Sequence, residues 1–467
     1  MNHGITGTER PTSIQAILED SILPTYVGTA PINMADLSNV NKPVLCYSLD
    51  DAMEQMGYVD DFNYTLCEAI DTHFRQFNIA PIVLINVLNP AVHKKSFANE
   101  QLALTDNKNY IIEKYGVLPE SLVLPTGDDY ATQWSDEGYL VIIPTSTSPS
   151  PNISVSYDML DPTMVDDDDI IGGVDANDGH SKGLECISDI FPKFRLVPNV
   201  IVAPKYSTSA VVASVMEAKA SDINGVFLGM ALNDIDTGEV IKYQDAPQYK
   251  NQKNFNSTFL TTYWPKVGLG NKQYHLSTQQ AASIQALASN SQGVPYQSPS
   301  NKNISADRAL LKNGEQVYLG LNKANYLNQN GIGTAINWIG GWRNWGNRTS
   351  AYPANLDPKD MFIAARMMFN FLQNTLVQTF WDRVDDPMNQ VLVKTVLDSV
   401  NIWLNGLVAQ GYIIGGRVEF NEGDNPLTSL LNGKMTFHVY FTPALPAEEI
   451  HFIKEIDVNY YSDLFAA

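Results

Sequence analysis

The sequence predicts a multidomain α+β protein with a layered α/β core, an inserted small β domain and an α+β C-terminal domain that ends in a strand-patterned segment. Three observations support this fold class. Strand-like and helix-like segments alternate over 21–91 and again over 162–349, which is typical of a sheet covered by helices. A run of short strand-like segments, 92–161, interrupts that alternation. Two long helical stripes and two strand patterns follow in 350–467.

Length and composition set the broad class. A chain of 467 residues is longer than a usual single core and predicts roughly two to four domains. The longest apolar run, 80–88, is too short to span a membrane and reads as a buried strand. The N-terminus lacks the basic-then-apolar layout of a signal peptide. Three widely spaced cysteines, Cys46, Cys67 and Cys186, indicate no disulfide framework.

The net charge is −21, from 30 basic and 51 acidic side chains. This balance argues against nonspecific nucleic-acid binding, which needs a basic footprint. Subunits of this charge repel one another in a polymer, so we expect salt to favour assembly.

The first half of the chain gives the α/β elements. Residues 1–20 show no long periodic pattern, so they form either a disordered tail or an N-terminal arm that reaches a neighbour. Ser48 is the predicted cap of a short helix that ends at Gly57. Further predicted strands are 22–27, 43–47, 80–88, 199–203, 226–232, 259–264 and 332–339, and further predicted helices are 65–77, 183–194, 209–223, 277–287 and 322–330.

The segment 92–161 has strand-like stretches without helices, which predicts a small β domain inserted in the core. Its predicted strands are 100–105, 121–124, 139–144 and 153–157.

The C-terminal domain, 350–446, opens with two marked helix starts. Asp357 is the predicted N-cap of the first helix, which runs unbroken to Phe380, and Asp386 is that of the second, which ends before Gly411. A strand follows over 435–441, and Pro443 then bars a continuous ladder.

The chain end, 447–467, is patterned as a strand. Ile450, Phe452, Ile456 and Val458 are apolar and alternate, although a terminus is usually polar and frayed. These side chains need a receiving sheet. The chain could fold back on its own strand through 442–449, or it could add to the sheet of a neighbouring subunit.

Motifs for catalysis or metal binding lack their structural context. Ser181 lies in a GHSKG sequence that fits a nucleophile elbow, but a loop precedes it instead of a buried strand. The acidic residues 166–169 and 175–178 do not match the spacing of a helix–loop–helix calcium site. The seven histidines form no zinc spacing.

Several segments in a fixed order resemble the contractile tail sheath proteins of bacteriophages and of phage-tail-like bacteriocins. The resemblance covers nearly the whole chain. Its segments are VGTAP (27–31), GYVDDFN (57–63), LDPTMVDDDDIIGGVDA (160–176), FRLVPNVIVAP (194–204), GVPYQSPSNK (293–302), GGWRNWGNRT (340–349), WLNGLVAQGYIIGGRVEF (403–420) and PAEEIHFIKEIDVNYY (446–461).

The resemblance implies a structural protein with no enzymatic activity and no cofactor. Its subunits would stack as rings in a helical sheath around a tail tube protein, with baseplate and tail terminator proteins as further partners, and without direct nucleic-acid binding or membrane insertion. The sheath would belong to a virion tail or a tailocin particle, assembled in the bacterial cytoplasm. The resemblance further implies that the inserted domain faces outwards and that the C-terminal domain faces the tube. It also favours an exchanged strand at the chain end, so that Ile450, Phe452, Ile456 and Val458 form an intersubunit strand in the sheet of a neighbour. Lys359, Arg366 and Lys394 are the candidate tube-facing residues, and Asn370 and Asp398 lie on the same predicted faces.

Two alternatives stay open at this point. A surface-array or adhesin-like protein would also assemble by strand exchange, but it would need a secretion signal. An α/β hydrolase would use Ser181 as its nucleophile.

Overall fold

The computed structural model describes residues 22–126, 129–176 and 178–465. The predicted N-terminal arm, 1–20, lies outside these residues. The chain has a mixed α/β multidomain fold with one large mixed sheet. The strands are β1 (Pro24–Gly28), β2 (Pro43–Cys46), β3 (Ile82–Asn86), β4 (Lys94–Ala103), β5 (Tyr110–Ile112), β6 (Tyr130–Trp134), β7 (Leu140–Pro144), β8 (Asn152–Leu160), β9 (Gly173–Val174), β10 (Ser181–Lys182), β11 (Val200–Val202), β12 (Met230–Asp234), β13 (Leu260–Tyr263), β14 (Lys266–Leu269), β15 (Lys272–Tyr274), β16 (Arg308–Leu310), β17 (Ile332–Trp338), β18 (Gly341–Trp345), β19 (Ile413–Glu419) and β20 (His438–Pro443).

Helices pack on both the large sheet and the C-terminal strands. They are α1 (Leu49–Met56), α2 (Thr65–Ile70), α3 (Asp167–Ile171), α4 (Ile190–Phe194), α5 (Ala210–Ser221), α6 (Ala246–Gln252), α7 (Leu276–Ser289), α8 (Leu321–Asn328), α9 (Pro358–Met361), α10 (Ile363–Phe380), α11 (Gln390–Ala409) and α12 (Leu427–Leu431).

The large sheet has the strand order β18-β17-β13-β12-β11-β1-β3-β2 in the described part of the chain. Its central strands run parallel, whereas β2 and β18 pair antiparallel at the two edges. A parallel sheet covered on both faces needs strands that are apolar throughout, and every residue of β3 is buried. This explains why the apolar run at 80–88 was correctly interpreted as a buried strand.

Local capping chemistry explains several helix bounds. The Ser48 hydroxyl accepts from the Asp51 N–H at the start of α1, and Gly57 ends that helix with a φ of +75°. The predicted helix 65–77 is present as α2, which continues into a π-helical stretch, Asp71–Phe77.

The strands β4 to β8 enclose their own hydrophobic cluster, although Leu160 at the end of β8 is buried in the cluster of the large sheet. Its strands form a β4–β8 pair and a three-stranded sheet in the order β5-β7-β6. The predicted strand 121–124 was wrong: Pro119–Ser121 form a 3-10 turn, and Val123 makes an isolated bridge to Ser156. A single bridged residue is too little for a strand.

The C-terminal elements pack around a third cluster formed mainly by α10, α11 and β19. Asp357 caps the first helix as predicted, but that helix is broken at Phe362, whose φ of −99° and ψ of 129° are extended. The second helix is capped by Asn389 and not by Asp386, because the Asn389 side chain accepts from the Leu392 N–H. Gly411 has the left-handed φ expected after a helix, +76°.

Among the described residues, α11 is the one helix long and apolar enough to cross a membrane by length and composition. Leu392, Val396, Val400, Leu404 and Leu407 are buried in the C-terminal cluster. A packed amphipathic helix has the same composition, so this feature carries no membrane assignment.

Candidate assembly surfaces

The two strands β19 and β20 form an antiparallel sheet with two open edges. They pair from Ile413↔Pro443 to Glu419↔His438, and no further strand pairs with either of them in the described ranges. An isolated two-stranded sheet is marginal in water. Helix α11 supports this one, where the Asn401 side chain accepts from the Val418 N–H at 3.1 Å. Apart from the Val418 N–H that Asn401 occupies, the outer edges present backbone groups that an added strand could bind.

The edges of the large sheet differ from those of β19 and β20. On the β18 side, the Asn344 N–H donates to the Lys302 carbonyl at 2.9 Å, and the Asn344 carbonyl accepts from the Asn301 N–H at 2.7 Å. At the other edge, β2 starts with Pro43, which has no N–H, and the Lys193 ammonium donates to its carbonyl at 2.9 Å. The β19–β20 sheet is therefore the more accessible receiver for a strand.

The predicted terminal strand does not fold back onto β20 in the single chain. Residues 444–457 have no regular secondary structure, and Val458–Phe465 form a 3-10 helix. The four apolar residues of the strand pattern are between 70% and 82% exposed. A row of apolar side chains in water indicates a surface that a partner covers. These residues are Ile450, Phe452, Ile456 and Val458.

The candidate tube-facing residues have different surroundings. Arg366 is 11% exposed, with its guanidinium 3.2 Å from Asp360 and 3.0 Å from the Asn370 side-chain oxygen. Burial, only partly offset by Asp360, holds the pKa of Arg366 below its ordinary value. Lys359 contacts two carboxylates, those of Asp357 and Asp360. Both cations are thus engaged within their own chain, and Arg366 is a poor candidate for a tube contact.

Lys394 lies on the exposed face of α11, together with Asp398. Two apolar residues, Val391 and Ile402, are exposed on the same helix. The sequence analysis overlooked them because it considered only the apolar stripe that packs inwards. Apolar residues left outside that stripe were the signal that could have identified this second face.

Asn370 was wrongly assigned to the exposed face of its helix. Its amide nitrogen donates to the Gly229 carbonyl at 2.9 Å, and the side chain is buried. Asn374, one turn later, binds the backbone of Leu228. These amides attach α10 to the segment that leads into β12, so the C-terminal helices and the large sheet share a hydrogen-bonded interface.

The catalytic and metal motifs have structural roles instead. Ser181 lies in the two-residue strand β10, which pairs antiparallel with β9, whereas a nucleophile elbow follows a buried strand. Asp166 caps α3, and Asp175 forms an ion pair with Lys182 at 2.5 Å. Among the described residues, no group of three histidine, cysteine or acidic side chains could hold a metal ion.

A buried pair, Glu68 and His275, is the most enzyme-like contact of the core. The His275 Nδ1 and Glu68 Oε2 atoms are 2.7 Å apart. Burial pushes the pKa of Glu68 up, but the charge and hydrogen bonds of His275 hold it below its ordinary value. Glu68 also accepts from the His275 backbone N–H at 2.6 Å. Both carboxylate oxygens are thus used to anchor the start of α7, which is a structural function.

Comparisons with known proteins follow the fold and these surfaces. No family model matches the chain. The chain is similar to the tail sheath protein of Burkholderia phage BcepMu, with 26% identity over 98% of this chain and 97% of that protein. It is also similar to the major tail sheath protein of Serratia phage KSP20, with 28% identity over 64% of this chain and 73% of that protein.

Solved structures share the fold along the whole chain. The sheath complex of the extracellular contractile injection system PVC, in its contracted state, superposes with a TM-score of 0.59 and 13% identity, and covers 98% of this chain and 99% of that chain. The helical sheath of the anti-feeding prophage in its contracted state gives a TM-score of 0.58 at 16% identity, over 97% of this chain and 99% of that chain.

Proposed function

We propose that this chain, which is a tail sheath protein of contractile phages and phage-like injection systems, polymerises as a helical sleeve around a tail tube. The sleeve contracts and drives the tube through the envelope of a target cell. The protein acts as a structural subunit and not as an enzyme, and it resides in a phage tail or a tail-like particle.

One observation carries the assembly proposal: a single chain has both a strand-patterned apolar arm and a sheet with open edges. Ile450, Phe452, Ile456 and Val458 are exposed, and no third strand pairs with β19 or β20 among the described residues. An arm that adds to the β19–β20 sheet of a neighbour buries its apolar side chains and gives backbone groups at the edge a partner. Because donor and receiver differ, the contact is head-to-tail and generates a helical polymer when it does not close a ring.

We assign the domains of the sleeve to match this contact. The large sheet, from 21–91 and 162–349, forms the body of each subunit, and 350–446 carries the receiving sheet. The inserted domain, 92–161, is proposed to face outwards in the sleeve, and its own hydrophobic cluster supports its treatment as a separate unit. The C-terminal arm, 447–467, leaves the body beyond β20.

The exposed face of α11 is the proposed tube contact, with Lys394 as its cation and Val391 and Ile402 as its apolar residues. An interface needs desolvated apolar contacts at its centre and tolerates charge at its rim. Lys359 remains a rim candidate, since it is part-exposed although paired with carboxylates. Arg366 contributes to the fold instead.

Contraction needs no nucleotide in this proposal. The energy comes from interfaces that bury more surface in the contracted sleeve than in the extended one, so the sheath has two packed states. The strands donated by the arms keep subunits linked while their bodies rotate. A chain of similar fold is present in the solved baseplate of the anti-feeding prophage, and this similarity supports a baseplate as a partner of the sleeve.

Electron microscopy of the purified full-length chain, with and without tail tubes, tests the proposal. We expect hollow tubular polymers that grow with salt, because salt screens repulsion between chains of charge −21. A chain that stays monomeric in every salt condition, even with tubes and baseplates, would contradict a sheath function.

A further inference from the structure

We propose that Arg348 is a positioning residue that fixes the root of the C-terminal arm, so that the donated strand pivots at Glu449. The inference rests on the proposed function, because only an arm that must reach a neighbour needs a set direction. The Arg348 contact would set the direction of the arm, and the donated strand would begin to move relative to the body at Glu449.

The contact is an ion pair between two segments that are distant in sequence. The Arg348 guanidinium donates from Nη2 to Glu448 Oε2. The arginine side chain is 12% exposed and the glutamate side chain 40% exposed, so the arginine belongs to the body of the protein and the glutamate to its surface. Both residues lie in segments that resemble sheath proteins, GGWRNWGNRT and PAEEIHFIKEIDVNYY.

The arginine is held in position before it binds the arm. Its guanidinium carbon lies 4.4 Å from the centre of the Tyr352 ring and 4.1 Å from that of the Phe362 ring. Backbone pairing between Arg348 and Phe362 fixes the same region. Two rings around a planar guanidinium restrict its rotamers, so the ion pair orders mainly the arm and not the arginine.

The root of the arm, 444–447, is restrained at both ends. Pro443, which precedes the root, pairs with Ile413 at the end of β20. Glu448, which follows the root, is bound by Arg348. Pro446 limits the backbone between them, because its ring fixes φ. Residues from Glu449 onwards are exposed up to Tyr461. Glu449, directly before the apolar Ile450, is therefore the first residue beyond the two restraints.

Around this pair, the root lies against a largely polar part of the body. It closes one side of a polar cleft of about 590 Å³. The body side of this cleft carries several side-chain amides together with the rings of Trp345 and Tyr352, so the root faces a mixed surface with few aliphatic groups. These amide residues are Gln297, Asn301, Asn325, Asn328 and Gln329.

A directed arm binds its receiver at a lower entropic cost. An arm that samples many directions loses that freedom when its strand is donated, whereas an arm whose root is fixed at Glu448 has already lost part of it. Breaking the ion pair should therefore leave the fold intact, widen the range of arm directions and weaken the contact between subunits.

Glu448→Gln and Glu449→Gln form a matched pair of test variants. Both remove an exposed carboxylate from the arm. Of these two glutamates, Glu448 is the one that forms an ion pair with Arg348 in the described part of the chain. Spin labels at His451→Cys and Tyr318→Cys report the distance between arm and body in the full chain, kept too dilute to polymerise. Labelling is selective because Cys46, Cys67 and Cys186 are buried.

We expect a narrow distance distribution in the parent chain and in Glu449→Gln, and a broad one in Glu448→Gln. We also expect Glu448→Gln to weaken polymerisation about fivefold, as for the loss of a part-exposed ion pair, and Glu449→Gln to leave it unchanged. Equal distributions in both variants would overturn the inference. The distances are read in unassembled protein, so failure of the parent chain to form sleeves would count against the proposed function alone.

Discussion

The side-chain amide of Asn374 binds both backbone groups of Leu228. Its Oδ1 accepts from the Leu228 N–H and its Nδ2 donates to the Leu228 carbonyl, each at 2.8 Å. Asn374 is fully buried in α10, and Leu228 leads into β12 of the large sheet. The amide therefore reproduces the pairing of a neighbouring strand and couples the C-terminal helices to the body of the subunit.

Replacing Asn374 by alanine should lower the free energy of unfolding by about 2 kcal/mol. The Leu228 backbone groups would lose their partners in a part-buried position, and an unpaired polar group costs about 1–3 kcal/mol. Urea unfolding of the unassembled chain measures this change. The matched control is Asn405→Ala, at an exposed position on α11, which should stay within about 0.5 kcal/mol of the parent. If Asn374→Ala changes the free energy of unfolding as little as the control does, the two hydrogen bonds do not couple the domains.

His73 predicts the response of the subunit to acid. Its Nε2 lies 2.6 Å from the Tyr26 hydroxyl, and burial lowers its pKa to about 3. An unfolded histidine has a pKa of about 6.5, so below that pH the unfolded chain binds a proton that the folded chain does not. The contribution of His73 should therefore lower the free energy of unfolding by about 1.4 kcal/mol for each pH unit as the pH drops from about 6.5 towards 3.

Urea unfolding at pH 7 and pH 5 checks the contribution of His73. His73→Gln should reduce the loss of stability between the two pH values, since glutamine does not titrate. His451→Gln, on the exposed arm, is the control and should keep the loss of the parent. An unchanged pH dependence in His73→Gln would show that another group controls acid unfolding.

The exposed face of α11 predicts a defect that is specific to the tube. Ile402→Asp should reduce sheath growth on tubes about tenfold or more, because an interface centre tolerates charge poorly. Sleeves formed without tubes should be unaffected. Ile241→Asp, an exposed isoleucine of the body, is the control. Counting sheathed and tube-free polymers by electron microscopy separates the two products, and an equal loss of both would assign Ile402 to a contact between sheath subunits.

The inserted domain should be removable. Lys94 and Leu160 pair at the open end of β4 and β8, so a short Gly/Ser linker can join the flanking residues. We expect the shortened chain to fold and polymerise with a lower melting temperature, because Leu160 leaves the core of the large sheet and the Asn33 side chain loses its bond to the Val117 carbonyl at 3.0 Å. Asn33→Ala in the full chain measures that bond alone. Unfolding of the shortened chain would show that this segment belongs to the core.

Elements with a local cause could be predicted from the sequence. Asp357 caps its helix by accepting from the Lys359 N–H, a bond that depends on neighbours in the chain. Burial of β3 follows from its uninterrupted apolar residues. The resemblance to sheath proteins was detected because several sequence motifs occur in the same order along the chain. No single motif would have been specific enough.

The remaining features depend on contacts between distant segments. The break at Phe362 is associated with backbone pairing to Arg348, and periodicity within a helix carries no record of that partner. Asn370 and Arg366 appeared to belong on a polar face, but they bind groups of the body and of α9. Polar residues that bind buried partners cannot be distinguished from exposed ones by helical spacing alone.

The most direct test of the account is a chain that stops after Glu449. This truncation keeps the Arg348–Glu448 ion pair and removes Ile450, Phe452, Ile456 and Val458, which are exposed in the single chain. We predict a folded monomer whose melting temperature lies within about 2 °C of the unassembled parent, since exposed residues contribute little to stability. It should form no sleeve by electron microscopy, even with tubes and baseplates. Normal sleeves from the truncated chain, or early melting without the arm, would contradict strand exchange as the basis of assembly.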